Sequence, residues 1–187
     1  MCTFCIDINQ SMYKTPPGYY LILYAIELDL VETSSFFFMV YTVSVLISRP
    51  FTGRLMDKKG ANFVMYPAFI LFGSGMLVLS SASNSVTFLL AAALIAFGFG
   101  NITSVGQTIA VNLAEPHRMG IATATFFIFY DIGTGFGPSL LGFIIPITGY
   151  GILYAILGIL VFGTSVLYYF LYGKKERANR LRIAESS

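Results

Sequence analysis

Long apolar runs separated by short polar breaks dominate the chain. A helix needs about 20 mostly apolar residues to cross a bilayer core. Five runs meet that test: 34–53, 63–82, 86–113, 120–146 and 150–172. The 86–113 run is long enough to tilt. A shorter run, 18–31, carries Glu27 and Asp29 near its end. Pro16 and Pro17 stop it extending upstream as a regular helix but allow one to begin there. Its length suits a partly inserted helix, whereas the charge pattern below favours a full span. The breaks, such as the links expected over 56–62 and 147–149, are short, so neighbouring helices must run antiparallel. The pattern predicts an all-α membrane protein: an irregular segment over 1–17, a helical bundle over 18–173 and a basic tail over 174–187.

Composition agrees. Of the 187 residues, 56% are hydrophobic and 11% charged, whereas soluble domains run at about 45–50% and about 25%. A water-soluble globule could not cover so much apolar surface. Ordinary soluble enzymes, disordered chains and disulfide scaffolds are excluded. The net charge of +2 is too small for a nucleic-acid binder. Cys2 and Cys5 form one C-x-x-C, and the remaining soft donor is the distant His117. No four-ligand metal site follows, and no cofactor is called for. The first seventeen residues lack the basic head and apolar stretch of a secretory signal.

The position of the charges sets an orientation. Lys14, the set Arg49, Arg54, Lys58 and Lys59, then Arg118, and finally Lys174, Lys175, Arg177, Arg180 and Arg182 all fall on one side of a six-helix scheme. Glu27, Asp29 and Glu32 fall on the other. The positive-inside rule then places both termini in the cytoplasm of a multi-pass cell-membrane protein. Five crossings would leave Lys14 outside.

Several residues within the apolar runs need a reason. Asp131 lies about 18 Å along its helix, near the bilayer midplane. A charge there costs about 2.5–3.5 kcal/mol or more, so it must face protein or water, be paired, or be protonated. A substrate or proton site and a structural hydrogen bond explain it equally well. In the 86–113 run, Asn101, Ser104, Thr108 and Asn112 follow steps of three and four and share a face, with Thr103 and Gln107 beside them. Such a stripe suits a cavity wall or interhelical hydrogen bonds. The nearby Gly98, Gly100 and Gly106 favour bending or close approach, which tilts the balance toward the cavity. Arg49 and Pro50 read as a snorkelling arginine near a helix end. Gly133, Gly137 and Gly142, with Pro138, describe a closely packed, bent helix. No G-x-S-x-G, H-E-x-x-H or paired intramembrane acids indicate an enzyme, and no filter sequence indicates a channel.

The stretch Gly53-Arg54-Leu55-Met56-Asp57-Lys58-Lys59-Gly60 resembles the G-x-L-x-D-R-x-G signature of the major facilitator superfamily of secondary transporters. GTGFGPSLLG, from Gly133 to Gly142, is similar to that family's G-x-x-x-G-P-x-x-x-G element in antiporters. Helix count, motif order and basic tail resemble the C-terminal half of such a transporter, in its drug- and sugar-efflux-like branch. The resemblance covers about 21–175. It implies a six-helix half-bundle of the major facilitator type. Gly53 and Gly60 would shape a tight cytoplasmic turn, and Asp57 would cap or charge-pair at a neighbouring helix end. Lys58 stands where the family usually has arginine, and Ala61 and Asn62 where basic residues often follow. Helices one and four would line a central cavity, making Asn101, Gln107 and Thr108 substrate contacts. No role for Asp131 follows by position.

The family works with two six-helix halves that rock around a midplane site. This sequence supplies one, and its first residues read as a replaced or truncated beginning. The expected partners are therefore the lipid bilayer, a small-molecule substrate and a second half, from another chain or a self-copy. The expected activity is efflux of a small organic solute, with proton exchange as one form. The rival is a truncated, non-transporting membrane fragment.

Overall fold

The computed structural model describes residues 19–174, and these are α-helical apart from short turns. The irregular segment with Cys2, Cys5 and Lys14, and the tail beyond Lys174, lie outside the described residues. The helices are α1 (Tyr19–Glu27), α2 (Val31–Lys59), α3 (Ala61–Ser80), α4 (Ser85–Asn112) and α5 (Met119–Tyr168), with a 3-10 turn at Pro116–Arg118 and a π turn at Tyr169–Gly173. Gly149, at φ 75° and ψ 167°, breaks α5 into two limbs, 119–148 and 150–168. No side chain but hydrogen is tolerated well there. Helical dihedrals persist through Pro138 and Pro146, so the reversal comes from the glycine rather than from either proline. Four described helices, α2 to α5, are long and apolar enough to cross a membrane. The described part of α1 rises about 13 Å, less than half the bilayer core.

Each turn has a local cause. After α1 the chain reverses at Asp29, whose φ is 59°. The Leu30 amide donates to Ala25 O (2.7 Å) and the Asp29 amide to Ile26 O (3.1 Å), the pattern of a Schellman cap with aspartate in the left-handed position. The α2–α3 link expected over 56–62 is far shorter: α2 continues through Lys59, and Gly60 alone (φ 90°, ψ 169°) turns the chain. At the start of α4 the Asn84 amide donates to Thr87 Oγ1, which satisfies one otherwise orphaned donor.

The core sits between α3, α4 and the second limb of α5. Gly98 lets α4 touch α3: a Cβ there would lie 2.5 Å from the Phe72 backbone nitrogen and 2.6 Å from Ala68 O. Gly75 meets Ile95 in the same way, and Gly158 approaches Gly73 O of α3. Between helices in lipid the driving force is van der Waals contact rather than water exclusion, so small residues at crossings matter most. Phe72, Phe88, Ile95 and Tyr154 fill the spaces left.

Polar contacts tie both ends. Tyr24 Oη donates to Leu79 O (3.1 Å) at the end where Glu27, Asp29 and Glu32 lie. At the opposite, basic end, Tyr168 Oη donates to Asn62 Oδ1 and Asn62 Nδ2 donates to Gly173 O, each at 2.9 Å. Asn62, a departure from the family's basic position, thus joins α3 to the π turn.

Candidate functional site

Two helix faces build a cavity of about 200 Å³ between α2 and α4. Arg49, Thr52, Gly53 and Met56 form one wall; Asn101, Ser104, Val105 and Thr108 form the other. Both sets follow the spacing i, i+3, i+4, i+7, which places each on a single helical face. The helices meet just beside it. A Cβ on Gly100 would come within 3.1 Å of Val45, so the backbones approach there and open out toward the basic end.

One polar bridge crosses between the walls. Thr52 Oγ1 lies 2.7 Å from Asn101 Oδ1 and 2.9 Å from Ser48 O. A hydroxyl has one proton, so these two acceptors share it. Asn101 Nδ2 donates to Phe97 O on its own helix. Ser104 Oγ donates to Gly100 O (3.0 Å) and Thr108 Oγ1 to Ser104 O (2.9 Å). Their protons are turned to the backbone, leaving oxygen lone pairs as acceptors. Gly53 is helical, and a Cβ on it would meet nothing within 4 Å. It leaves space on the wall rather than shaping the turn expected of it.

The other sequence-selected residues lie elsewhere. Gln107 is half-buried and is not part of this wall. Asp131 is exposed on the first limb of α5 and, among the described residues, has no hydrogen bond or ion pair. Gly133 and Gly137 are buried with Tyr130 and Leu141 along one stripe of that limb. Gly142 packs near Tyr20, whose Oη would sit 3.1 Å from an added Cβ. Pro138 lies in the same helical run. Asp57 and Lys58 are exposed in the last turn of α2. Lysine suits a helix C-terminus and aspartate does not. Asp57 has no ion pair among the described residues, so it does nothing evident for its own helix. Of the motif's glycines, Gly60 alone makes the turn. Among the described residues no group of acids, histidines or cysteines could hold a metal.

Sequence reasoning selected Asn101 and Thr108 but missed the opposing wall. The signal was present: Arg49, Thr52, Gly53 and Met56 repeat the spacing of the α4 stripe. Reading Arg49 as the end of a helix hid it.

The sequence matches the Major Facilitator Superfamily over residues 1–186. It is 29% identical over 154 residues to an uncharacterized MFS-type transporter of Methanocaldococcus jannaschii, covering 81% of this chain and 39% of that protein. It is 24% identical over 110 residues to an uncharacterized MFS-type transporter of Bacillus subtilis, covering 59% of this chain and 21% of that one. The chain spans well under half the length of either relative.

Proposed function

The chain belongs to the Major Facilitator Superfamily, and on that premise we propose that it forms one half of a transporter exporting a small organic solute by alternating access. The cavity between α2 and α4 is the observation that carries this reading. Polar side chains line it on helices that each hold a stretch apolar enough to cross a membrane. Intramembrane polar groups are costly, so a cavity lined by them has a use.

A second body is required. The stretch of α2 that best suits a membrane is 22% buried, and that of α5 is 28% buried. In this reading the unburied faces of α2 and of limb 119–148 receive six further helices, from another chain or a copy of this one. Asp57 pairs with a helix end of that second body. Asp131, exposed on limb 119–148, carries the exchanged proton. The basic end faces the cytoplasm, by the positive-inside rule.

The test is transport. Inside-out vesicles holding the native assembly should accumulate members of a labelled solute panel when the lumen is acid, and Asp131→Asn should remove the pH dependence. A verified monomer of this chain in liposomes should move nothing. Proton-linked uptake by that monomer, or accumulation indifferent to the proton gradient and to Asp131→Asn, contradicts the proposal.

A further inference from the structure

We infer that the cavity between α2 and α4 binds a small hydroxylated organic anion, with its oxyanion group on Arg49. This deepens the transporter reading above and rests on it for its biological sense. The binding chemistry itself follows from the cavity.

Arg49 is exposed on the α2 wall of the cavity. It lies about 7.5 Å along the axis from Arg54, the first of the charges that close α2, and about 15 Å from Lys59. No acid among the described residues forms an ion pair with it; the two ion pairs found join Glu115 to His117 and to Arg118. An arginine on a cavity wall with no ion pair among the described residues can take an anionic ligand there, and its planar fork of five donors matches a carboxylate or phosphate.

The opposite wall then narrows the ligand. The hydroxyls of Ser104 and Thr108 spend their protons on carbonyls of α4. What they offer the cavity is acceptor oxygen. A ligand bearing an anionic group for Arg49 and hydroxyl donors for Ser104 and Thr108 answers both walls; a plain hydrocarbon acid answers one. The volume of about 200 Å³ equals roughly seven waters at their liquid share. That suits a three-carbon hydroxy acid or a glycerol phosphate. Gly53 keeps the space clear, since any side chain there would project where no atom lies within 4 Å of its Cβ.

The same chemistry occurs in a soluble solute and in a glycerophosphate lipid headgroup, so the experiment separates them. The full chain is placed in phosphatidylcholine nanodiscs, and binding of glycerate, glycerol 3-phosphate and neutral glycerol is read by saturation-transfer NMR. Both anions should bind saturably, and glycerol at least about tenfold more weakly. Arg49→Gln should weaken the anions about tenfold or more and leave glycerol unchanged, while Arg49→Lys keeps part of the affinity. Gly53→Leu should abolish anion binding with no fall in thermal midpoint, because leucine is the better helix former and meets no neighbour. Phosphatidylglycerol added to the discs should compete if the natural occupant is a lipid headgroup and not if it is a solute.

Equal binding of glycerate and glycerol, anion affinity unchanged by Arg49→Gln, or no anion binding at all would overturn the inference. Binding is read without transport. Anion binding through Arg49 with no transport by the assembly would therefore remove the transporter reading alone. Transport of neutral solutes insensitive to Arg49→Gln would remove this inference alone.

Discussion

Two regions of this molecule use small residues and apolar helices differently. Of the most apolar stretches, 50% is buried in α3 and 56% in α4, against 22% in α2. In α4 the buried positions include three consecutive runs, between Ala91 and Ile102, and wrap around the helix. In α2 they shrink to a seam of Ser34, Phe37, Ser44 and Ser48, at steps of three and four or their sums. A helix apolar all round belongs inside a bundle; a helix apolar all round but buried along one seam has lipid or another protein on its remaining faces. Apolar character alone does not report packing in a membrane. Glycine contacts do. Gly98 is pressed against Phe72, whereas Gly53, Gly135 and Gly163 meet nothing within 4 Å.

Substituting the two kinds of glycine is the sharpest way to break this contrast. Gly98→Leu should have the largest effect. Its side chain would begin 2.5 Å from the Phe72 backbone, so α3 and α4 must separate, at a cost of about 3 kcal/mol or more. Thermal unfolding in detergent should show loss of the folded form. Gly135→Leu, on the open face of the first limb, should leave the midpoint of the isolated chain unchanged or raised. If the two fall together, the first limb is packed and the contrast is wrong.

Gly60→Val should come next. Its φ of 90° with ψ of 169° is a conformation that only glycine adopts freely, and the expected loss is about 1–3 kcal/mol. The measurement is again the unfolding midpoint, with Gly53→Ala as the control that should show no loss. Asn62→Ala should be smaller. It removes the hydrogen bonds to Tyr168 and Gly173, and such bonds in membranes average about 0.6 kcal/mol each. Its signature is local: faster hydrogen exchange at the π turn with little change at α4.

The all-helical membrane fold was legible in the sequence, because lipid leaves long apolar runs few alternatives. The turns were less so. Residues 56–62 read as a link between two apolar runs, yet Lys58 and Lys59 suit the C-terminus of a helix and Gly60 supplies a sharp stop. Likewise the link expected over 147–149 narrows to a reversal at Gly149. On the candidate site, the stripe of α4 was visible from spacing, but which of its members face a cavity was not. Thr108 lines it and Gln107, one residue away, does not. That choice is made by where α2 lies, a non-local fact that no local pattern carries. Asp131 shows the converse. Its sequence position marks it as costly in lipid, and the described residues give it no partner, so its explanation depends on what covers the first limb.

The central claim is that water reaches the cavity that Arg49, Thr52, Asn101, Ser104 and Thr108 help to line between α2 and α4, while the outer faces of the bundle lie in lipid. Replacing Cys2 and Cys5 by serine and introducing one cysteine at a time tests it directly. Thr108→Cys lines the cavity, and Ile70→Cys lies on the outer face of α3, where the side chain is 58% exposed. In nanodiscs, a membrane-impermeant maleimide should label Thr108→Cys and spare Ile70→Cys. Equal labelling of both, or protection of Thr108→Cys with labelling of Ile70→Cys, would contradict the account.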